Sequence, residues 1–228
     1  MANSAHIATI QTGTSSACGN GGFGAVMGRK KLKAVSVIGT GTVPLADPDR
    51  LRALTRAVAK EKAYTRGSRR AGRLDTYNER LAEDGNGRVQ LEPCTENCVS
   101  PCQLYYEGVP GCAYDRTWSG RWMSVGTILR GFADSPRMNY GGVFDWKLGI
   151  RGGMEANSLC NRYGINQWDL ILGMVPWLEA CQNAGLIDEE LGASGGIAMN
   201  WQSSEWWAAL LHAIAYREGV LGDALAEG

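Results

Sequence analysis

Residues 154–187 read MEANSLCNRYGINQWDLILGMVPWLEACQNAGLI, and this stretch decides the fold of the chain. It predicts two helices in succession. The first is expected to end near Tyr163, with Gly164 as the glycine that closes a helix. The second is expected to run from about Trp168 to Asn183, where Gly185 stops it. The second half of the chain is therefore predicted to be a helical body.

Helices are also predicted on both sides of this stretch. Residues 47–64, DPDRLRALTRAVAKEKAY, open with an aspartate as N-cap and a proline at the first helical position, followed by apolar residues at helical spacing. Residues 203–228, SSEWWAALLHAIAYREGVLGDALAEG, offer Ser203 or Ser204 as the N-cap and then an apolar stripe. Both stretches extend the helical prediction.

The β structure predicted from the sequence is small and lies near the N-terminus. Residues 6–12, HIATIQT, alternate loosely and predict a short strand, and residues 32–39, LKAVSVIG, are apolar and β-branched and predict a second strand. A glycine-rich loop lies between them. The fold class expected is mainly α with a small N-terminal β portion.

The amino-acid composition is that of an ordinary globular protein. The chain has 228 residues, of which 44% are hydrophobic, enough for a real core. Lysine plus arginine and aspartate plus glutamate number 23 each. The chain therefore lacks the net positive charge that would favour binding to nucleic acid. No apolar stretch approaches the roughly 18–20 residues that cross a bilayer. The sequence predicts a soluble, cytoplasmic protein that binds neither membrane nor nucleic acid.

Cys94, Cys98 and Cys102 follow one another at C-x3-C-x3-C spacing in the run EPCTENCVSPCQ. Three thiolates this close together can surround one metal centre, and thiolates favour iron–sulfur clusters, zinc or copper(I) over harder ions. Two prolines in the run argue against a continuous helix, and an odd total of seven cysteines argues against a disulfide framework. Three interpretations stay open: a [4Fe–4S] cluster, a zinc site completed by Cys112, and plain packing of small apolar side chains.

Residues 19–24, GNGGFG, satisfy the dinucleotide-binding pattern G-x-G-x-x-G. That pattern has meaning only inside a βαβ unit, with an acidic residue about 20 positions further on. Only about seven residues separate the loop from the strand predicted at 32–39, too few for a crossover helix, and Asp47 falls just before a helix. The nicotinamide interpretation is therefore rejected. The loop is either an anion site built from backbone N–H groups or a tight structural turn.

Several segments, taken in order, resemble the aldehyde:ferredoxin oxidoreductase family of tungsten- or molybdenum-pterin enzymes. GNGGFGAVMGRKKLKAVSVIGTG, residues 19–41, resembles the family segment G-R-G-G-x-G-A-V-M-G-S-K-x-L-K-A. ADPDRL, the cysteine run, NSLCNRYGIN and IAYREGVLGDALAEG follow in the family's order. The resemblance implies that residues 1–45 are the end of a pterin-binding β domain and residues 46–228 part of a helical domain. It implies that the chain is partial.

The resemblance also implies which residues contact the pterin. They lie in the glycine loop and in the segment NRYGIN: Asn20, Gly21, Gly22, Asn161, Gly164, Ile165 and Asn166. The family usually has arginine at the position of Asn20 and carboxylates at the positions of Asn161 and Asn166. An asparagine carbonyl still accepts hydrogen bonds from a pterin, at about half the strength of a charged acceptor.

The resemblance assigns the clustered cysteines to a [4Fe–4S] cluster: Cys94, Cys98 and Cys102. The fourth ligand is expected from a domain that this chain lacks, and Cys112 ranks below it as a local substitute. Cys160 is expected to be a core residue rather than a sulfur ligand to the metal. Asp145 is the nearest acid to the position of the family's catalytic glutamate, but no catalytic residue is assigned. His212 is expected to be structural.

The function implied by the resemblance is two-electron redox chemistry at a tungsten- or molybdenum-bis-pterin centre, with electrons passing through the cluster. The substrate would be a small aldehyde, or an aromatic acyl-CoA in a related reduction. Ferredoxin or another electron-transfer subunit would be the partner, and an oligomer is possible. The alternatives are an inactive fragment, an electron-transfer subunit completed by another chain and, least favoured, a zinc-stapled interaction module.

Overall fold

The computed structural model describes residues 5–12, 17–19, 21–62, 74–83, 86–93, 101, 103–121 and 148–228. Helices dominate these residues, which confirms the predicted fold class, and two small antiparallel sheets accompany them. In chain order the elements are β1 (Ile10–Gln11), β2 (Ala17–Cys18), α1 (Phe23–Arg29), α2 (Pro48–Lys62), α3 (Leu74–Glu83), β3 (Arg88–Glu92), β4 (Gln103–Pro110), β5 (Thr117–Arg121), α4 (Gly149–Tyr163), α5 (Gln167–Asp169), α6 (Val175–Asn183), α7 (Ser204–Tyr216) and α8 (Gly219–Ala226).

The start of α2 and the end of α4 lie where local sequence signals predict them. Helix α2 begins at Pro48, and the backbone N–H of Arg50 donates to Oδ1 of Asp47 at 2.9 Å. Helix α4 ends at Tyr163, and Gly164 takes the left-handed conformation at φ 70°. Caps and glycine stops act within a few residues, so the sequence alone fixes them.

The N-cap of α7 is Ser203, whose side chain accepts from the N–H of Trp206 at 3.1 Å. The second helix predicted within 154–187 is present but interrupted. A π-helical turn at Leu170–Met174 joins α5 to α6. Pro176 follows the turn and has no N–H to give to the preceding helical turn, which favours an irregular hydrogen-bonding pattern there.

The strand predicted at residues 32–39 is wrong. No strand is present there, and among the described residues the segment has no strand partner. Its side chains are exposed, with Val37 at 85% and Ile38 at 87%. A β-branched sequence supplies propensity, but a strand forms only against a hydrogen-bonding neighbour. The strand predicted at 6–12 is confirmed only at Ile10–Gln11, which pairs with Ala17–Cys18.

A three-stranded antiparallel sheet in the middle of the chain was not predicted. Its order is β3–β4–β5, with Val89 opposite Tyr106 and Leu91 opposite Leu104. An irregularity between Tyr106 and Val109 interrupts the pairing of β4 with β5. Alternate residues of β4 point into the core, so the sheet covers one side of helix α4.

The core lies between this sheet and helices α4 and α7. Its fully buried large side chains come from the sheet, from α3 and from the C-terminal helices: Trp206, Trp207, Tyr106, Leu81, Met154, Leu170, Ile171, Leu178, Leu210, Leu211 and Ile214. Trp206 and Trp207 meet edge to face with ring centres 5.3 Å apart. Within the described part of the chain, no helix combines the length and the apolar character that crossing a membrane requires.

Candidate functional site

The junction segment, residues 6–9, holds the NRYGIN turn in place. The N–H of Thr9 donates to the carbonyl of Gly164 at 2.7 Å, and the N–H of Asn166 donates to the carbonyl of Ile7 at 2.9 Å. Between these two bonds Ile165 forms an antiparallel bridge with Ala8. Local sequence sets the turn after α4, but a segment more than 150 positions earlier fixes its orientation.

The glycine loop packs against the other side of the junction segment. The N–H of Gly24 donates to the carbonyl of Ala8 at 2.9 Å. A Cβ added at Gly22 would lie 2.5 Å from the carbonyl oxygen of His6, and one added at Gly24 would lie 2.5 Å from that of Thr9. Both glycines are therefore required by close backbone approach, as the tight-turn interpretation expects.

Helix α1 begins within this loop, at Phe23. It has only seven residues, Phe23–Arg29, which is too short for the crossover helix of a βαβ unit. The helix leads to no strand among the described residues, so it completes no βαβ unit there.

Replacing Gly24 by alanine is expected to destabilise the chain by about 1–3 kcal/mol, because the new methyl group would push α1 off the junction segment. Urea unfolding measures the change. Gly173→Ala is the matched control, since nothing lies within 4 Å of a Cβ built there. Equal unfolding midpoints for the two variants would show that the loop does not pack as described.

The structure brings the predicted pterin residues to one region but not into one cavity. Gly21 and Gly22 line a cavity of about 850 Å³ together with Trp168 and Trp177. The residues that line a neighbouring cavity of about 1100 Å³ include Asn161, Gly164 and Ile165. Asn20 lies outside the described residues.

The two asparagines of NRYGIN differ in what they can offer a ligand. Asn166 is buried; its Oδ1 accepts from the N–H of Trp168 at 3.1 Å and its Nδ2 donates to Asp169. Its side chain thus caps helix α5. Asn161 lies at the cavity wall, where its Oδ1 accepts from Gln167 at 3.0 Å. Its Nδ2 has no hydrogen-bond partner among the described residues, so Asn161 has a donor to offer a ligand, whereas the amide of Asn166 is engaged within the chain.

Cys94, Cys98 and Cys102 lie outside the described residues, between strands β3 and β4, which pair with each other. Glu92, the last residue of β3, pairs with Gln103, the first residue of β4. The buried guanidinium of Arg121 donates to Glu92 at 3.3 Å and to the carbonyl of Pro93 at 2.9 Å. The cysteine run therefore connects the end of β3 to the start of β4, and these two strand ends pair with each other. The buried side chain of Arg121 lies beside them.

Cys112 lies beyond the opposite end of β4. The eight residues of β4 separate it from the cysteine run, and eight extended residues span roughly 25 Å. Partial burial raises the pKa of the Cys112 thiol, which makes it a weaker thiolate donor. This position argues against Cys112 as a fourth ligand and against a zinc staple.

The remaining predicted residues have mainly structural surroundings. Cys160 is buried in the core, and burial raises the pKa of its thiol, as expected for a packing residue. His212 stacks on Tyr216 at 4.5 Å and lies 3.0 Å from Glu218. Asp145 lies outside the described residues. In the described part of the chain, no three histidine, cysteine or acidic side chains gather as a metal site.

Sequence reasoning missed the buried carboxylate of Glu155. It accepts hydrogen bonds from the N–H groups of Cys112 at 2.9 Å and Ala113 at 2.8 Å, and from Nε1 of Trp118 at 3.0 Å. Arg151, one turn earlier in α4, donates to the carbonyl of Gly111. These bonds attach the β4–β5 turn to α4. Glu155 and Arg151 bond mostly to backbone groups about 40 positions away in the sequence, and no sequence pattern identifies such partners.

Residues 58–228 match the family model "Aldehyde ferredoxin oxidoreductase, domains 2 & 3". A protein from Pyrococcus furiosus named tungsten-containing aldehyde ferredoxin oxidoreductase is 28% identical over 253 residues, covering 99% of this chain and 39% of that protein. The protein of the same name from Thermococcus kodakarensis is 28% identical over 249 residues, with the same two coverages. A P. furiosus protein named aliphatic sulfonate oxidoreductase, WOR-like subunit, is 28% identical and covered over 38% of its length.

Proposed function

The chain belongs to the aldehyde ferredoxin oxidoreductase family, and from this premise we propose that it supplies cofactor contacts to a pterin-dependent oxidoreductase. The observation that carries the proposal is the junction segment. It places the glycine loop and the NRYGIN turn side by side, such that a Cβ on Gly19 would lie 3.6 Å from Oδ1 of Asn166. Two segments linked to one cofactor by resemblance are thus neighbours in space. The chain spans 39% of the length of the first two relatives, so the rest of the site would come from elsewhere.

Three sets of residues would hold the cofactors. The backbone of Gly21 and Gly22 and the amide of Asn161 would contact the pterin, since these residues line cavities and Nδ2 of Asn161 has no partner among the described residues. Cys94, Cys98 and Cys102 would bind a [4Fe–4S] cluster. When bound, the metal–pterin group supplies two-electron redox chemistry and the cluster passes electrons singly. We assign tungsten rather than molybdenum because four of the relatives carry tungsten in their names.

The reaction we propose is oxidation of an aldehyde by water to a carboxylate, releasing two electrons and three protons. Ferredoxin, a one-electron acceptor named in the family description, would receive the electrons one at a time. The protein's part is to hold the cluster and the pterin in a dry setting and to tune both by hydrogen bonds. Arg121, paired with Glu92, donates to the carbonyl of Pro93 and would hold the start of the cysteine run against the sheet.

Iron and acid-labile sulfide, measured on the chain purified without oxygen, test the proposal. About four of each per chain are expected, from the composition of a [4Fe–4S] cluster. Cys98→Ser is expected to lower both below about one per chain, because a ligand is lost. Cys112→Ser is the matched control and is expected to keep the full content.

Two results would contradict this assignment. Stoichiometric zinc that is lost in both variants would establish a zinc site completed by Cys112. Equal iron content in wild type and Cys98→Ser would show that the cysteine run binds no cluster. Tungsten content, with and without Asn161→Ala, tests the pterin contact separately, since that substitution leaves the cysteines untouched.

A further inference from the structure

A polar pocket of about 400 Å³ lies between strand β5 and helix α4, apart from the glycine loop. Arg116 and Arg162 contribute guanidinium groups to its wall, and Ser119, Ser158 and Asn161 contribute hydroxyl and amide groups. None of the described residues that line it is acidic. The pocket is therefore positively charged, although the whole chain has no net charge.

Both guanidinium groups are held by one indole ring. The guanidinium carbon of Arg116 lies 4.5 Å from the ring centre of Trp118, and that of Arg162 lies 5.0 Å from it. The two charges are thus within about 10 Å of each other, each placed by a cation–π contact. Trp118 is only 4% exposed and its Nε1 donates to Glu155, so the ring is fixed in place.

Neither arginine has an acidic partner in the described part of the chain. Arg88, Arg121 and Arg217, in contrast, each form an ion pair there. Two unpaired like charges so close together repel each other, and a bound anion would relieve that repulsion. Within the described residues, their N–H edges remain available for the paired hydrogen bonds that arginine makes to oxyanions.

Further polar atoms line the pocket. Ser158 is 6% exposed, and its Oγ lies 2.6 Å from the hydroxyl of Tyr106. Burial raises the pKa of Tyr106 to about 12, so this hydroxyl stays protonated. Oε1 of Gln11, another lining residue, is buried and has no donor among the described residues. A ligand would therefore satisfy the pocket best if it offered a hydrogen-bond donor as well as negative oxygens.

We propose that the Arg116–Trp118–Arg162 pocket is a binding site for a phosphate group, free or in a phosphomonoester. Inorganic hydrogen phosphate carries both features at neutral pH, since its oxygens accept from the guanidinium groups and its remaining O–H can donate to Gln11. A phosphomonoester keeps an O–H only as its monoanion, below a pH of about 6. A sulfonate or a carboxylate at neutral pH has oxygens but no O–H, so either should bind less well. The pocket shares Asn161 with the proposed pterin contact, but phosphate binding needs neither metal nor pterin, so its test can fail while the redox proposal stands.

Isothermal titration of the 228-residue chain with inorganic phosphate tests the site, in a phosphate-free buffer at low ionic strength. Saturable binding of one phosphate per chain is expected, weakened about tenfold or more in Arg162→Gln and in Arg116→Gln by loss of a charge-assisted contact. Arg162→Lys keeps the charge but loses the fork and is expected to fall in between. Arg88→Gln is the control, since Arg88 is exposed and pairs with Glu107.

Two further titrants separate the possible sources of the phosphate group. Glycerol phosphate binding more tightly than inorganic phosphate would identify a phosphomonoester as the ligand, and equal affinity would identify the phosphate group alone. Methanesulfonate is expected to bind at least tenfold more weakly than phosphate. The proposal is overturned if phosphate shows no saturable binding, if methanesulfonate binds as well as phosphate, or if Arg88→Gln weakens binding as much as Arg162→Gln. Thermal unfolding of each variant verifies that it is folded.

Discussion

Replacing Glu155 by glutamine is expected to lower the free energy of unfolding by about 3 kcal/mol. The carboxylate is 2% exposed and accepts four N–H groups, the fourth being that of Tyr114 at 3.2 Å. An amide in its place would turn an NH₂ group toward two of those donors and leave them unpaired. If the NH₂ group replaces Oε2, the N–H groups of Cys112 and Ala113 lose their acceptor; if it replaces Oε1, those of Tyr114 and Trp118 do. In both cases the β4–β5 turn is attached to α4 by fewer hydrogen bonds.

Urea unfolding measures this loss, with Glu190→Gln as the control because Glu190 is exposed. The control is expected to stay within about 0.5 kcal/mol of wild type. Glu155→Gln should also weaken phosphate binding, since the turn that leads into β5, where Trp118 lies, is then attached less firmly to α4. An unfolding midpoint equal to that of the control would mean that the four hydrogen bonds contribute nothing net to stability.

Replacing Glu179 by glutamine is expected to stabilise the chain at about pH 8 by up to about 3 kcal/mol and to have little effect near pH 4.5. Glu179 is 8% exposed, and its Oε2 has no hydrogen-bond partner in the part of the chain that the structure describes. Burial raises the pKa of its carboxyl from 4.5 to about 7. Glutamine keeps the shape and removes the ionisation.

The sign follows from proton binding. Between pH 4.5 and about 7 the folded carboxyl keeps its proton while the unfolded one has lost it, so stability falls as the pH rises through this window. Above about pH 7 both states are ionised and the penalty is constant. Free energies of unfolding for both proteins across this range measure the difference. A difference that does not change with pH, or that grows toward low pH, would refute the assignment.

The candidate site was predictable only in part. The resemblance located the NRYGIN turn and the glycine loop, and the structure places the two side by side across the junction segment. It did not show that Asn166 caps a helix while Asn161 lines a cavity. Both are asparagines in one short motif, and only the packing around each decides which atoms remain free for a ligand.

The sequence by itself determined three helix termini, because the signals at Asp47, Gly164 and Ser203 act on backbone groups only a few residues away. The tertiary structure decided what depends on distant partners. Residues 32–39 form no strand, and strands β3, β4 and β5 pair into a sheet. The tertiary structure also brought Arg116 and Arg162, 46 positions apart, to the same indole ring. Strand pairing and ligand pockets need surfaces that meet only after the chain has folded.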